Sequence, residues 1–177
     1  MEIKPIENIE GAFYIQAQKF TDNRGFFSEL FNSSKPYPQF QFQNRQLNFS
    51  KSNTNVLRGI HIAPFSKLIS VLHGSAQDVI IDLRPNSPTY LNTASYILSP
   101  KNMTQLFIPA NCGHGFLSLE DDTILVYMQD GNYNPQTHKT LKYNDPELQI
   151  KWLINNPILS QQDENAPILK NFEYQIN

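Results

Sequence analysis

The run Ser66-Lys67-Leu68-Ile69-Ser70-Val71-Leu72-His73-Gly74, followed after Ser75 by Ala76-Gln77-Asp78-Val79-Ile80-Ile81-Asp82-Leu83-Arg84, decides the fold class. Both halves are rich in β-branched residues and meet at Gly74-Ser75, which predicts two strands joined as a hairpin. Outward from this pair, strand-like segments cover 13–20, 25–31, 42–50, 55–62, 94–98, 103–108, 113–119 and 123–130. Turn-forming clusters separate them: Asp22-Asn23-Arg24-Gly25, Pro85-Asn86-Ser87-Pro88, Pro100-Lys101-Asn102, Pro109-Ala110-Asn111 and Asp121-Asp122. Short strands about ten residues apart, with Pro and Asn between them, predict an all-β sandwich or barrel. No window of a dozen residues carries a helical period, so helix is expected only as short turns near 33–38 and 145–149. The segment from Pro157 onward is expected to be irregular.

Size and composition agree with one such domain over residues 1–177. A chain of this length buries about 70% of its unfolded surface and needs no covalent staples. With 40% hydrophobic residues and twelve Phe, it is not a disordered polymer. The net charge of −2, with no basic block, argues against binding a nucleic-acid backbone. Cys112 is the single cysteine, which excludes an internal disulfide or a Cys-clustered metal site. No apolar run reaches the roughly 18 residues of a membrane span, and Met1-Glu2-Ile3-Lys4-Pro5 has no signal-peptide core. A soluble cytoplasmic protein is the expectation, and the sequons at Asn32, Asn48 and Asn102 are then incidental.

The scarce side chains carry the chemical information. Three of four arginines, Arg24, Arg58 and Arg84, stand at turns or strand ends, where a rigid guanidinium can clamp an anion or anchor a loop. Arg84, before a proline, reads as an anchor. His61 follows Arg58-Gly59-Ile60, and His114 lies within Cys112-Gly113-His114-Gly115-Phe116. Each could act as a base near neutral pH or be a satisfied core group. A His-x-His metal pair is absent because Ala63 occupies the second position, and no closely spaced His/Glu set replaces it. No nucleophile elbow, dinucleotide fingerprint or phosphate loop is present. Composition and spacing by themselves stop at an all-β protein with a pocket.

The ordered motifs go further. They are Phe20-Thr21-Asp22-Asn23-Arg24-Gly25-Phe26-Phe27-Ser28-Glu29, Gln46-Leu47-Asn48-Phe49-Ser50, Val56-Leu57-Arg58-Gly59-Ile60-His61 and Gln77 to Arg84 with Ser87-Pro88-Thr89-Tyr90. Ile108-Pro109 with His114-Gly115-Phe116, Tyr127 with Tyr133, Asn144-Asp145-Pro146 with Trp152, and Leu159 to Asp163 complete the set. Over about residues 13–169 this series resembles the dTDP-4-dehydrorhamnose 3,5-epimerase family of cupin-fold nucleotide-sugar epimerases. The resemblance implies a cupin-type jelly roll, a homodimer, a nucleotide-sugar substrate, and no cofactor or metal. Its chemistry is removal and return of protons on the carbons flanking a ketone.

By resemblance, His61 is the base and Asp163 its partner, Lys67 faces the enolate oxygen, and Tyr127 donates a proton from the opposite face. Arg24, Glu29, Gln46, Asn48, Arg58, His114 and Tyr133 match sugar- and nucleotide-contacting positions, with Asp78 an acid behind them. Arg24 and Glu29 are expected to serve the partner's site. The chain departs from the family pattern in three places. Ile62-Ala63-Pro64-Phe65-Ser66 brings Lys67 within six positions of His61, where the family loop is longer; Asn132 precedes Tyr133; and Leu47 replaces an acid. The catalytic set survives, while the sugar, the nucleotide and the number of carbons inverted stay open. A mono-epimerase, an epimerase of a GDP-linked heptose, a 3,4-ketoisomerase and a non-catalytic sugar-binding cupin are the alternatives.

Overall fold

The computed structural model describes residues 2–35, 37 and 39–172. One six-stranded sheet runs, in spatial order, β1 (Glu2–Pro5), β2 (Phe13–Gln16), β10 (Thr104–Ile108), β7 (Lys67–His73), β12 (Thr123–Gln129) and β5 (Gln46–Ser52). A five-stranded sheet runs β13 (Lys139–Thr140), β6 (Leu57–Ile62), β11 (Gly113–Ser118), β8 (Ala76–Ile81) and β9 (Thr93–Leu98). β3 (Phe20–Asp22) and β4 (Gly25–Phe27) form a separate hairpin. All the ladders between these strands are antiparallel. The result is the all-β, cupin-type jelly roll that the sequence implies.

The expected hairpin at Gly74-Ser75 does not form. β7 pairs with β10 and β12 in one sheet, whereas β8 pairs with β11 and β9 in the other. Gly74-Ser75 is therefore a corner that carries the chain between sheets. Gly74 sits there at φ +70°, and a Cβ would fall 2.4 Å from Thr123 Oγ1. The physical reason for the difference is burial on both faces. All six residues of β8 and the first five of β7 are buried. A strand covered on both sides reads as a continuous apolar run, which marks a strand but does not select its neighbour.

Three apolar layers account for that burial. Between the sheets, Ile69, Val71, Leu106 and Leu125 of the first meet Ala76, Ile80, Leu98 and Phe116 of the second. On the outer face of the five-stranded sheet, Ile60, Ile62, Val79 and Ile81 are covered by Leu141, Leu148, Trp152 and Leu169. On the outer face of the six-stranded sheet, Leu68 and Phe107 pack under Phe40, Phe31 and Phe42, with Phe40 and Phe107 stacked at 4.0 Å. Segments without regular structure thus act as sheet covers, which explains the high Phe content of a chain with so little helix.

Several boundaries shift. β1 was not expected, and β8 ends at Ile81 rather than continuing to Arg84. Residues 33–35 and 146–149 make turns instead of helix, and 36 and 38 of the first segment lie outside the described residues. The tail expected to be irregular holds a short helix, α1 (Gln161–Glu164), and a 3-10 turn at Leu169–Asn171. One turn of helix is too short to leave a periodic signal. No helix among the described residues is long and apolar enough to cross a membrane.

Arg84 is an anchor, as read. Its guanidinium meets the fully buried Asp82 at 2.7 Å and also donates to Glu10 O, while Ser87 and Thr89 donate their hydroxyls to the same carboxylate. Burial by itself would raise the Asp82 pKa, but these hydrogen bonds outweigh it and hold the group at about 2. Because the folded value lies below the unfolded one, the stabilisation is present above the ordinary carboxylate range and is lost as pH falls toward 2. Asp82→Ala should lower stability by about 3 kcal/mol, because it leaves Arg84 and two hydroxyls without their acceptor. Urea unfolding at pH 7 measures this, and the difference from wild type should shrink on acidification.

Candidate active site

One end of the space between the sheets is unfilled by the core and forms a cavity of about 460 Å³. Strand alternation supplies two of its walls. On β5, Gln46, Asn48 and Ser50 point inward while Leu47 and Phe49 face out; on β12, Leu125, Tyr127 and Gln129 point inward. Tyr127 lies directly across the ladder from Asn48. Gln46 donates to Asn48 Oδ1 at 2.8 Å and accepts from the backbone N–H of Tyr133 at 3.0 Å, so one amide orients two wall residues.

On β6 the alternation is broken to useful effect. His61 faces His114 and Arg58 faces Phe116, so two β6 residues, Gly59 and Ile60, oppose Gly115 alone. This bulge turns both Arg58 and His61 toward the cavity, three residues apart. Gly59 adopts φ +131°, and a Cβ there would lie 2.6 Å from Gly115 Cα, so the close approach of β6 and β11 requires glycine at position 59.

His61 is fixed from behind by the C-terminal segment. Val56 bridges Ile158, and Leu57 N donates to Ile158 O at 3.0 Å, which brings the chain alongside the start of β6. Ser160 then caps α1, accepting from Asp163 N at 3.1 Å and donating to Asp163 Oδ2 at 2.9 Å. The other carboxylate oxygen meets His61 Nε2 at 2.8 Å. Burial opposes ionisation of Asp163, but hydrogen bonds from His61, Ser160 and the Gly59 backbone prevail and lower its pKa. An ionised carboxylate only accepts, so the His61 proton resides on Nε2 and the Nδ1 lone pair is left free. The dyad can take a proton and hold the resulting imidazolium.

Lys67, at the start of β7, is buried to 6% exposure and lines the same cavity. Desolvation lowers its pKa to about 8, opposed by the charge of Asp78. His114 meets Asp78 Oδ2 at 2.8 Å, and burial chiefly lowers its pKa. Burial likewise raises the pKa of Tyr127, keeping the phenol protonated. Cys112 is a buried core thiol pushed up to about 12, mainly by desolvation. Among the described residues, no three His, Cys, Asp or Glu side chains converge on a metal position.

His61, Lys67, Tyr127, Gln46, Asn48, Arg58, His114 and Tyr133 therefore all border one cavity, with Asp163 directly behind His61. Arg24 and Glu29 do not reach it. Arg24 lies at the exposed tip of the β3–β4 hairpin against Asp22, and Glu29 pairs with Lys35 and Asn32. Sequence reading missed Ser50 and Gln129, which alternation from Asn48 and Tyr127 could have supplied. It also missed Gln162, one residue before Asp163, and Phe65 of the short loop. His138 was missed with no local signal: its ring lies 5.2 Å from that of His61 and 5.2 Å from that of Tyr133.

A jelly roll whose cavity sets an Asp-supported histidine, a buried lysine and a tyrosine around one space has the site of a nucleotide-sugar epimerase. The sequence profile of the dTDP-4-dehydrorhamnose 3,5-epimerase family matches residues 7–171, and the chain belongs to that family. It is 34% identical to the dTDP-4-dehydrorhamnose 3,5-epimerase of Methanothermobacter thermautotrophicus, with 94% of this chain and 95% of the relative aligned. The Escherichia coli enzyme of the same name is 36% identical, with 88% of each chain aligned. Among solved structures, the Legionella pneumophila RmlC complex with dTDP-4-keto-L-rhamnose superposes with TM-score 0.91 at 32% identity, covering 99% of both chains. ChmJ, a 3'-monoepimerase from Streptomyces bikiniensis in complex with dTDP-quinovose, gives TM-score 0.86 at 33% identity, covering 92% of this chain and 85% of that one.

The bulge gives the first test of the site. Gly59→Ala should cost about 1–3 kcal/mol from the strained backbone position and displace His61 from Asp163. Thermal melts should show the loss. The His61 ring NMR signals should lose the signature of the Asp163 hydrogen bond, whereas Gly11→Ala, at a turn away from the cavity, should leave them unchanged.

Proposed function

We propose that this chain inverts both carbons flanking the ketone of a dTDP-linked 4-keto-6-deoxy sugar, using His61, Lys67 and Tyr127 in concert. The observation that carries the reading is that an imidazole backed by a carboxylate, an ammonium and a phenol border one cavity. A hydrogen next to a ketone is acidic because the electron pair it leaves behind spreads onto the carbonyl oxygen. His61 Nδ1 takes that proton, and Asp163 stabilises the imidazolium. Lys67, already desolvated, places its charge against the oxygen where negative charge develops. Tyr127 returns a proton to the other face, leaving the carbon inverted. Arg58, His114 and the β5 amides hold the diphosphate and sugar hydroxyls.

The domain works as a homodimer in this reading. Phe20, Phe26 and Phe27 expose half or more of their surface on a hairpin outside both main sheets, near Arg24 and Glu29 in sequence. Phe49, 73% exposed, lies on the edge strand β5. An apolar patch of this kind marks a docking surface, and a second copy presenting the same hairpin would carry Arg24 and Glu29 toward its partner's cavity.

In D2O, dTDP-4-keto-6-deoxyglucose should gain deuterium at C3 and C5 with inverted product. Label at C3 alone would identify a monoepimerase, movement of the carbonyl in the carbon spectrum a ketoisomerase, and no exchange would overturn the proposal. His61→Ala and Tyr127→Phe should each lower kcat by about 10²–10⁴-fold with little change in KM. Lys67 carries its charge below its lowered pKa, so kcat/KM should fall as pH rises through about 8. Lys67→Met should remove that limb along with about 10²–10³-fold of rate.

A further inference from the structure

The amides that line the cavity differ in what they hold. Gln46 commits both ends of its side chain to the wall, donating to Asn48 Oδ1 and accepting from Tyr133 N. Gln129 is 3% exposed and borders the same cavity, yet its Nε2 has no hydrogen-bond partner among the described residues. Burying an N–H donor without an acceptor forfeits its hydration and gains nothing in exchange, so such a group in a folded protein calls for a reason. Ser50 Oγ is the other unpartnered buried polar atom in this lining among the described residues.

Strand register sets Gln129, and not Ser50, beside the buried lysine. Gln129 lies directly across the ladder from Lys67 of β7 on one side and from Gln46 of β5 on the other. Residues opposite one another in an antiparallel pair project to the same face, with Cβ atoms about 5 Å apart. Lys67 and Gln129 are thus buried neighbours in the cavity lining. Ser50 stands opposite Leu125, four residues away from Gln129 along β12, or about 13 Å. The last torsion of a glutamine side chain is broad, so the amide turns at small cost to bring an N–H to a group bound beside Lys67.

We propose that Gln129 is a further catalytic residue, whose amide N–H is the second donor, with Lys67, to the carbonyl oxygen of the bound keto sugar. When His61 takes the proton from the adjoining carbon, the C–H electron pair becomes part of a C=C bond and the carbonyl π pair moves onto oxygen. Both donors face that oxygen as it becomes an anion, and a hydrogen bond to an anion is stronger than one to a neutral ketone. The Nε2 donor, which has no acceptor in the protein, finds one that strengthens along the reaction. That is the condition under which a contact raises kcat rather than merely tightening binding. The two donors are complementary, because the Lys67 charge titrates at about 8 and an amide N–H does not titrate.

The inference rests on the epimerase reading, and the two fail separately. Wild-type protein that neither exchanges nor inverts dTDP-4-keto-6-deoxyglucose defeats the reading itself. If wild type is active, Gln129→Met and Gln129→Leu, of similar size but without a donor, should each lower kcat by about 10²-fold. KM and the Kd of dTDP should stay within about threefold of wild type, because the contact is strongest to the enolate. The fall of kcat/KM through about pH 8 should persist in both variants, because Lys67 still carries it. Melting temperatures should equal or exceed that of wild type, because each variant removes a buried donor that has no partner in the protein. A fall in kcat of less than tenfold, loss of the alkaline limb, a loss of dTDP affinity that matches the loss of rate, or a lowered melting temperature in both variants would each overturn the assignment.

Discussion

The hydrogen bond between His61 and Asp163 organises this molecule's active end. It joins residues 102 positions apart in sequence, at 2.8 Å, and every nearby oddity of the fold serves it. The β6 bulge turns His61 inward, the Ser160 cap fixes Asp163 on a helix of one turn, and the bridge from Val56 to Ile158 holds helix and strand together. The base of the proposed reaction has to present one lone pair at one place. Securing the imidazole from behind by a buried carboxylate sets both its tautomer and its direction.

The rest of the cavity follows from contrasts in solvation. Lys67, His114 and Tyr127 are all moved by burial in the direction that disfavours charge, and the charge of Asp78 is the largest opposing influence on Lys67 and His114. A space of low effective dielectric strengthens any charge that develops in it, which is the condition for stabilising an enolate.

How far the sequence could be read depended on where information was stored. The strands of the two sheets were visible because β-branched runs and Pro/Asn punctuation are local properties. Strand pairing was not: β7 and β8 are doubly buried, so their side chains report burial without naming a neighbour, and the Gly74-Ser75 corner read as a hairpin. β1 and α1 escaped because four residues carry too little pattern. In the site, His61, Lys67, Tyr127 and Asp163 came from resemblance, since composition and spacing could not separate a catalytic histidine from a core one. Gln129 and Ser50 were recoverable by counting two along a strand. His138 was not, because a loop sets its position.

By itself the sequence determined that this is an all-β chain whose ordered motifs resemble the 3,5-epimerase family, and that resemblance implied an acid–base set residue by residue. Short-range patterning and ordered motifs encode both. Only the tertiary structure showed what holds Arg24 and Glu29 away from the cavity of their own chain, Asp22 for the first and Lys35 with Asn32 for the second. It alone decided that a bulge rather than simple alternation aims His61, and that a second imidazole lies against it. Those facts depend on segments far apart in sequence meeting at a few ångströms, a relation that no local run of residues records.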